Sequence, residues 1–144
     1  MDRGWPPVKA VVDTNVVAYF LLGTEPFAAE ARRFLAALRN AMAPALWEAE
    51  VANVVWMAIR AGVLPPEEGP RRLNLAARLG IESVPTRTLL QGALLRSVTS
   101  GVAVYDTLFV ELAIREACPL ATFDAAVLKA FPKVAARPGA LVSE

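Results

Sequence analysis

An apolar run, a three-residue polar step and a second apolar run set the pattern at the start of the chain. Lys9-Ala10-Val11-Val12 is followed by Asp13-Thr14-Asn15 and then by Val16 to Leu22. A short, nearly continuous apolar stretch suits a strand of a parallel sheet covered on both faces. The second run predicts a short helix closed by Gly23. Thr24-Glu25-Pro26 then opens a helix over 27–39, with Thr24 as cap, Pro26 in the first turn and Phe34, Leu35 and Leu38 facing inward. A weak strand over 41–43 ends at Pro44, and a strongly apolar helix over 46–61 stops at Gly62. Pro65-Pro66-Glu67-Glu68 begins another helix that reaches Leu79 before Gly80, and Ile81-Glu82-Ser83-Val84-Pro85 is a third strand. Thr86 caps a helix to Val98, and Thr99-Ser100-Gly101 is a loop. A helix over 105–117, a strand over 119–122 and a helix from Asp124 to Phe131-Pro132 come next, with a weak fifth strand at Ala140-Leu141-Val142. Strands alternate with helices throughout. The pattern is that of an α/β fold with a parallel sheet between helices, expected as one domain over 1–144 with a tail at 1–7.

Placing the acids on these elements singles out a few. The chain has four Asp: Asp2 in the tail, and Asp13, Asp106 and Asp124 at element boundaries beside apolar segments. Asp13 and Asp124 come after strands, at the carboxyl edge where open α/β sheets bind ligands. Asp is also a common helix cap, and for each Asp alone that reading stands equally. Glu50 differs because it interrupts an otherwise apolar helix. At about 100° per residue, Glu50, Asn53 and Arg60 share one narrow face, and Glu48 points to nearly the opposite side. An ordinary solvated stripe explains that face as well.

Composition narrows the chemistry. The 144 residues contain no histidine and one cysteine, Cys118. Ser-His and Cys-His nucleophilic machinery and His or thiolate zinc sites are therefore excluded. Carboxylates remain, and oxygen ligands favour a hard cation such as Mg²⁺ or Mn²⁺. Net charge is +1, which argues neither for nor against nucleic acid. Twelve of the 15 basic residues are Arg, a bias toward bidentate contacts that genome composition also produces. The 56% hydrophobic content exceeds the roughly 45–50% of soluble domains, pointing to a face covered by a partner subunit. The opening residues carry no apolar signal region, no apolar run approaches the roughly 18 residues of a membrane span, and a lone cysteine fits a reducing cytoplasm. Trp5, Trp47 and Trp56 invite base stacking; core or interface packing is the stronger reading, because Trp47 and Trp56 lie on the apolar helix.

Four blocks in order then resemble a known family. Val11-Val12-Asp13-Thr14-Asn15, Glu50-Val51-Ala52-Asn53, Tyr105-Asp106-Thr107-Leu108-Phe109-Val110-Glu111-Leu112-Ala113 and Ala121-Thr122-Phe123-Asp124 are similar to the motifs of PIN-domain ribonucleases, above all the VapC-like toxins of toxin–antitoxin pairs. The resemblance covers residues 8 to 142. It implies a five-stranded parallel sheet with an acidic site at its carboxyl edge, formed by Asp13, Glu50, Asp106 and Asp124. It also implies Mg²⁺- or Mn²⁺-dependent hydrolysis of RNA, with an antitoxin as partner. Asp13 and Asp106 are the expected direct ligands, and Glu50 and Asp124 act as ligands through water or as the orienter of the attacking water. Thr14, Asn15 and Thr122 are expected to support them by hydrogen bonds. Many relatives carry a further acid after the last block, where this chain has Ala125 and Ala126, a departure that bears on a second metal ion. The helix over 46–61 leaves one apolar face for a second protomer or an antitoxin peptide, so a homodimer or larger assembly is expected. The competing expectation is a non-catalytic α/β binding module with a residual acidic pocket. A receiver-like domain would need a Lys near the last strand, but Lys129 and Lys133 fall on or after the final helix.

Overall fold

The computed structural model describes residues 8–142; the expected tail at 1–7, with Asp2 and Trp5, lies outside the described residues. The chain runs β1 (Val8–Val12), α1 (Thr14–Leu22), α2 (Ala28–Ala37), β2 (Leu38–Pro44) and α3 (Trp47–Arg60). A 3₁₀ turn (Pro66–Glu68) leads into α4 (Gly69–Ala77) and β3 (Ile81–Val84), and another (Thr86–Thr88) into α5 (Leu90–Ser100). Then come α6 (Val104–Arg115), β4 (Leu120–Ala121), α7 (Ala125–Ala130), β5 (Ala135–Ala136) and a closing 3₁₀ turn (Pro138–Leu141). The five strands form one sheet in the order β3-β2-β1-β4-β5, every pair parallel. This is the expected α/β architecture.

The apolar runs explain the layering. Ala10, Val11 and Val12 are buried, as a central strand covered on both faces requires. On α6 every residue from Thr107 to Ala113 is buried, and this helix lies against β1, β2 and β4. Within that run Glu111 is a buried carboxylate held by two arginines, Arg96 Nε at 2.7 Å and Arg115 Nε at 2.6 Å. The pairing ties α5 to α6 and needs Gly92, since a Cβ there would collide with the Glu111 carboxyl.

Several boundaries differ from expectation. The fifth strand is Ala135–Ala136 rather than 140–142, because Pro138-Gly139 folds the latter stretch into a 3₁₀ turn. β2 begins at Leu38, where the backbone turns extended, so α2 ends at Ala37 rather than 39. Thr99 and Ser100 belong to α5, which continues to the left-handed Gly101 (φ 79°). Thr24 contributes its carbonyl, which accepts from the Phe27 and Ala28 N–H groups, and α2 has no side-chain cap. Thr86 serves a different helix than expected: its hydroxyl accepts from Leu46 N at 3.2 Å, at the start of α3.

Strand order positions the site. β1 is flanked by β2 on one side and β4 on the other, so connections leave the sheet in opposite directions at the carboxyl ends of β1 and β4. In open α/β sheets that switch point opens a crevice. Asp13 lies just past β1 and Asp124 just past β4, while α3 and α6 bring Glu50 and Asp106 in their first turns.

Candidate active site

Of the three boundary aspartates, only Asp124 caps a helix. Its Oδ1 accepts from Val127 N at 3.0 Å, in the first turn of α7. Asp13 occupies the N-cap position of α1 without a side-chain cap bond, and the N-cap of α6 is Ala103, not Asp106. Asp13 is turned instead toward the end of β4, where the Thr122 hydroxyl donates to its Oδ2 at 2.8 Å. That hydroxyl also accepts from Asp124 N at 3.0 Å and Asn15 Nδ2 at 3.3 Å, which uses its full hydrogen-bonding capacity. Asn15 completes the bridge by accepting from Phe123 N at 3.2 Å through Oδ1. On the other side Thr14 donates to Glu50 Oε1 at 2.7 Å. Thr14, Asn15 and Thr122 thus fasten the segment after β1 to α3 and to the segment after β4.

Asp13, Glu50 and Asp106 line one cavity of about 450 Å³, together with Asn15, Tyr19 and Asn53. No described residue of that lining is basic. Asp13 is only 6% exposed, and burial drives its carboxyl from 3.8 to about 7. The Thr122 hydroxyl pulls the other way, while Asp106 and Glu50 push it further up. Glu50 is raised by burial and by Asp106, and Asp106 by burial and by Asp124. Asp124 therefore acts on the group from its rim. Glu111 shows the contrast: burial pushes that carboxyl up as well, but Arg96 and Arg115 bring it below its ordinary value. Among the described residues that line the cavity, no such cation faces its acids.

The Glu50 face divides as the helical spacing predicted in part. Glu50 and Asn53 line the cavity and Glu48 faces a separate groove beside α4, but Arg60 lies about two turns beyond Asn53, stacked over Trp56 at 5.4 Å. Trp47 is buried and donates to Ser83 Oγ at 2.9 Å, whereas Trp56 is 53% exposed. Tyr19 is a cavity residue that the motif blocks do not single out. Its signal is positional: Asn15, Ala18, Tyr19 and Leu22 fall at i, i+3, i+4 and i+7 and form one face of α1 toward the cavity.

The profile of the PIN-domain family matches residues 10–135, nearly the whole described length. The chain belongs to the PIN-domain family. No curated protein matches it. PIN domains are generally metal-dependent nucleases acting on RNA or DNA, and this PIN domain has donors suited to a divalent ion. Its cavity acids offer oxygen alone, which fits a hard cation, and burial and mutual repulsion raise the carboxyls of Asp13, Glu50 and Asp106, a cost that a bound cation relieves. Among the described residues no three acids are drawn together tightly enough to grip one ion directly. The fit is to a hydrated ion with one or two direct carboxylates and the others reached through water, as Mg²⁺ prefers. No single helix among the described residues is long and apolar enough to cross a membrane.

Proposed function

We propose that this PIN domain is a Mg²⁺- or Mn²⁺-dependent endoribonuclease and the toxin of a VapC-like toxin–antitoxin pair in the cytoplasm. The observation that carries the nuclease reading is the shared cavity of Asp13, Glu50 and Asp106, with no described basic residue in its lining and the Asp13 carboxyl lifted to about 7 by burial. Asp13 and Asp106 would hold the cation directly, and Glu50 and Asp124 would hold it through water or orient the attacking water. When bound, the cation supplies an activated water and neutralises charge on the phosphate. The chain's own groups fix the frame. Thr122 orients Asp13, Thr14 orients Glu50, and Asn15 ties the two segments together through Thr122 and the Phe123 N–H. A non-catalytic acidic module is the competing reading, favoured by the loose spacing of the acids and by Ala125 and Ala126 after the last block.

The deciding assay is cleavage of structured and unstructured RNAs by purified protein. Cutting is expected with Mg²⁺ or Mn²⁺ and is expected to stop with a chelator, with Ca²⁺ in place of Mg²⁺, and in Asp13→Asn. Undiminished cleavage by Asp13→Asn sinks the assignment. The toxin reading rests on the four motif blocks, and a small DNA-binding protein encoded beside the gene would support it.

Self-association belongs to the same proposal, with the exposed Trp56 and Met57 of the 46–61 helix and a second apolar stripe as its candidate surfaces. α5 exposes Leu90, Leu94, Leu95 and Val98 along one side, with Val98 76% exposed. A second copy covering this stripe would remove a patch that single chains rarely leave in water. Light scattering that gives a monomer mass at micromolar concentration refutes it.

A further inference from the structure

Beside the acid cavity the protein carries three aromatic rings that stay partly open to solvent. Tyr19 stacks on Phe27 with centroids 4.7 Å apart and planes inclined by 17°. Phe123 completes the group at 5.4 Å from Tyr19 and 5.0 Å from Phe27. None of the three is buried, whereas Phe34 and Phe109 are sealed in the core. Tyr19 also forms part of the wall that holds Asp13, Glu50 and Asp106. Phe123 stands in the chain between Thr122, which holds Asp13, and Asp124. Above the group lies the Arg137 guanidinium, 4.8 Å from the Phe123 centroid and 5.6 Å from that of Phe27. Glu30 fixes it there, accepting from Nη2 at 2.6 Å and from Nε at 3.3 Å, which leaves the Nη1–Nη2 edge for a further acceptor, and nearly half of the arginine side chain remains exposed.

A strand of RNA crossing the acids has two requirements that the acids cannot meet. The base beside the scissile bond must be placed, and the neighbouring phosphate must be held against four carboxylates. Aromatic rings place unpaired bases with little regard to sequence. Arginine binds phosphate oxygens as a fork and keeps that capacity while lying on a ring. We propose that Tyr19, Phe27 and Phe123 with Arg137 form a shelf docking one unpaired nucleotide next to the scissile phosphate, its base at Tyr19 and its phosphate on Arg137. A base already paired in a duplex cannot reach the shelf, so the shelf selects single strands. The proposal rests on the ribonuclease reading of the acid cavity and adds the positioning residues beside it.

The test is equilibrium binding of labelled, mixed-sequence single-stranded RNA 12-mers in Ca²⁺, followed by cleavage kinetics in Mn²⁺. Tyr19→Leu is expected to weaken binding about 5- to 150-fold, the range for losing one stacked base, and to raise KM with kcat little changed. Tyr19→Phe, which keeps the ring, is expected to bind like the parent. Arg137→Gln is expected to lower the slope of log K against log salt by about 0.7, one single-strand phosphate, and Arg137→Lys to restore it. Melting curves confirm that each variant is folded. Photocrosslinking of the parent with 5-iodouridine RNA gives an answer independent of any variant. Cross-links on the peptide carrying Tyr19 support the shelf. Cross-links confined to another aromatic residue, such as Tyr105, overturn it, as does a folded Tyr19→Leu with parental affinity and KM. RNA that binds and cross-links at Tyr19 but is not cut removes the ribonuclease reading and leaves the shelf. RNA cut by Tyr19→Leu with parental KM removes the shelf and leaves the ribonuclease.

Discussion

Asp13→Asn is expected to make the metal-free protein more stable, by an amount that grows with pH. The folded protein holds the Asp13 carboxyl near 7 against an ordinary 3.8, chiefly through burial. Between those values the folded state keeps a proton that the unfolded chain has released, so stability falls as pH rises, by about 1.4 kcal/mol per pH unit. Over the whole interval the loss is about 4 kcal/mol, fully developed above pH 7. Asparagine has the same shape, can still accept from Thr122, and does not titrate. Glu111 and Glu30, each raised by burial but brought lower by arginine partners, contribute with the opposite sign below their ordinary value, and equally in both proteins. The assay is urea denaturation in a chelator at pH 5 and pH 8. The variant's advantage is expected to widen by about 2.6 kcal/mol between the two. Mn²⁺ at a hundred times its Kd is then expected to return about 2.7 kcal/mol to the parent alone at pH 8. Parallel pH profiles for parent and variant, or a variant less stable at pH 8 without metal, would refute the reasoning.

Two further substitutions separate structure from chemistry. Asp124→Ala removes the cap on α7 and is expected to cost about 1 kcal/mol in thermal melting, whereas Asp124→Asn keeps the cap and loses only the response to Mn²⁺ and the cleavage. Gly92→Ala drives a methyl into the Glu111 carboxyl and is expected to cost about 1–3 kcal/mol, read as a lower melting temperature.

The elements that bury continuous apolar runs were the legible ones. β1, α3 and α6 stand where their side chains said they would, and with them Asp13, Glu50 and Asp106 arrive at one cavity. β5 was not legible, since Ala135-Ala136 carries no pattern of its own and becomes a strand only by pairing with Leu120 and Ala121. Thr86 looked like a cap for the helix after it, and only the sheet order reveals that Leu46 is nearer. Helical spacing placed Asn53 correctly beside Glu50 but extended the polar face to Arg60, which lies about two turns past Asn53 and outside the cavity lining. The Arg137 position above Phe123 brings its guanidinium to rings from opposite ends of the chain, and no local pattern announces it.

The bond between Thr122 and Asp13 spans 109 positions of the chain, and the strand after Pro119 is also the one that completes the sheet beside β1. A polypeptide emerging from the ribosome therefore displays Asp13 early but lacks the hydroxyl that aims it, and β1 has one edge without a neighbour, until most of the message has been read. Thr122 and Asp124 thus join Asp13, Glu50 and Asp106 late, with only α7, β5 and the closing turn still to follow. A chain broken off before Leu120 keeps the three cavity acids but lacks Thr122, Asp124 and the two strands that cover that edge of β1.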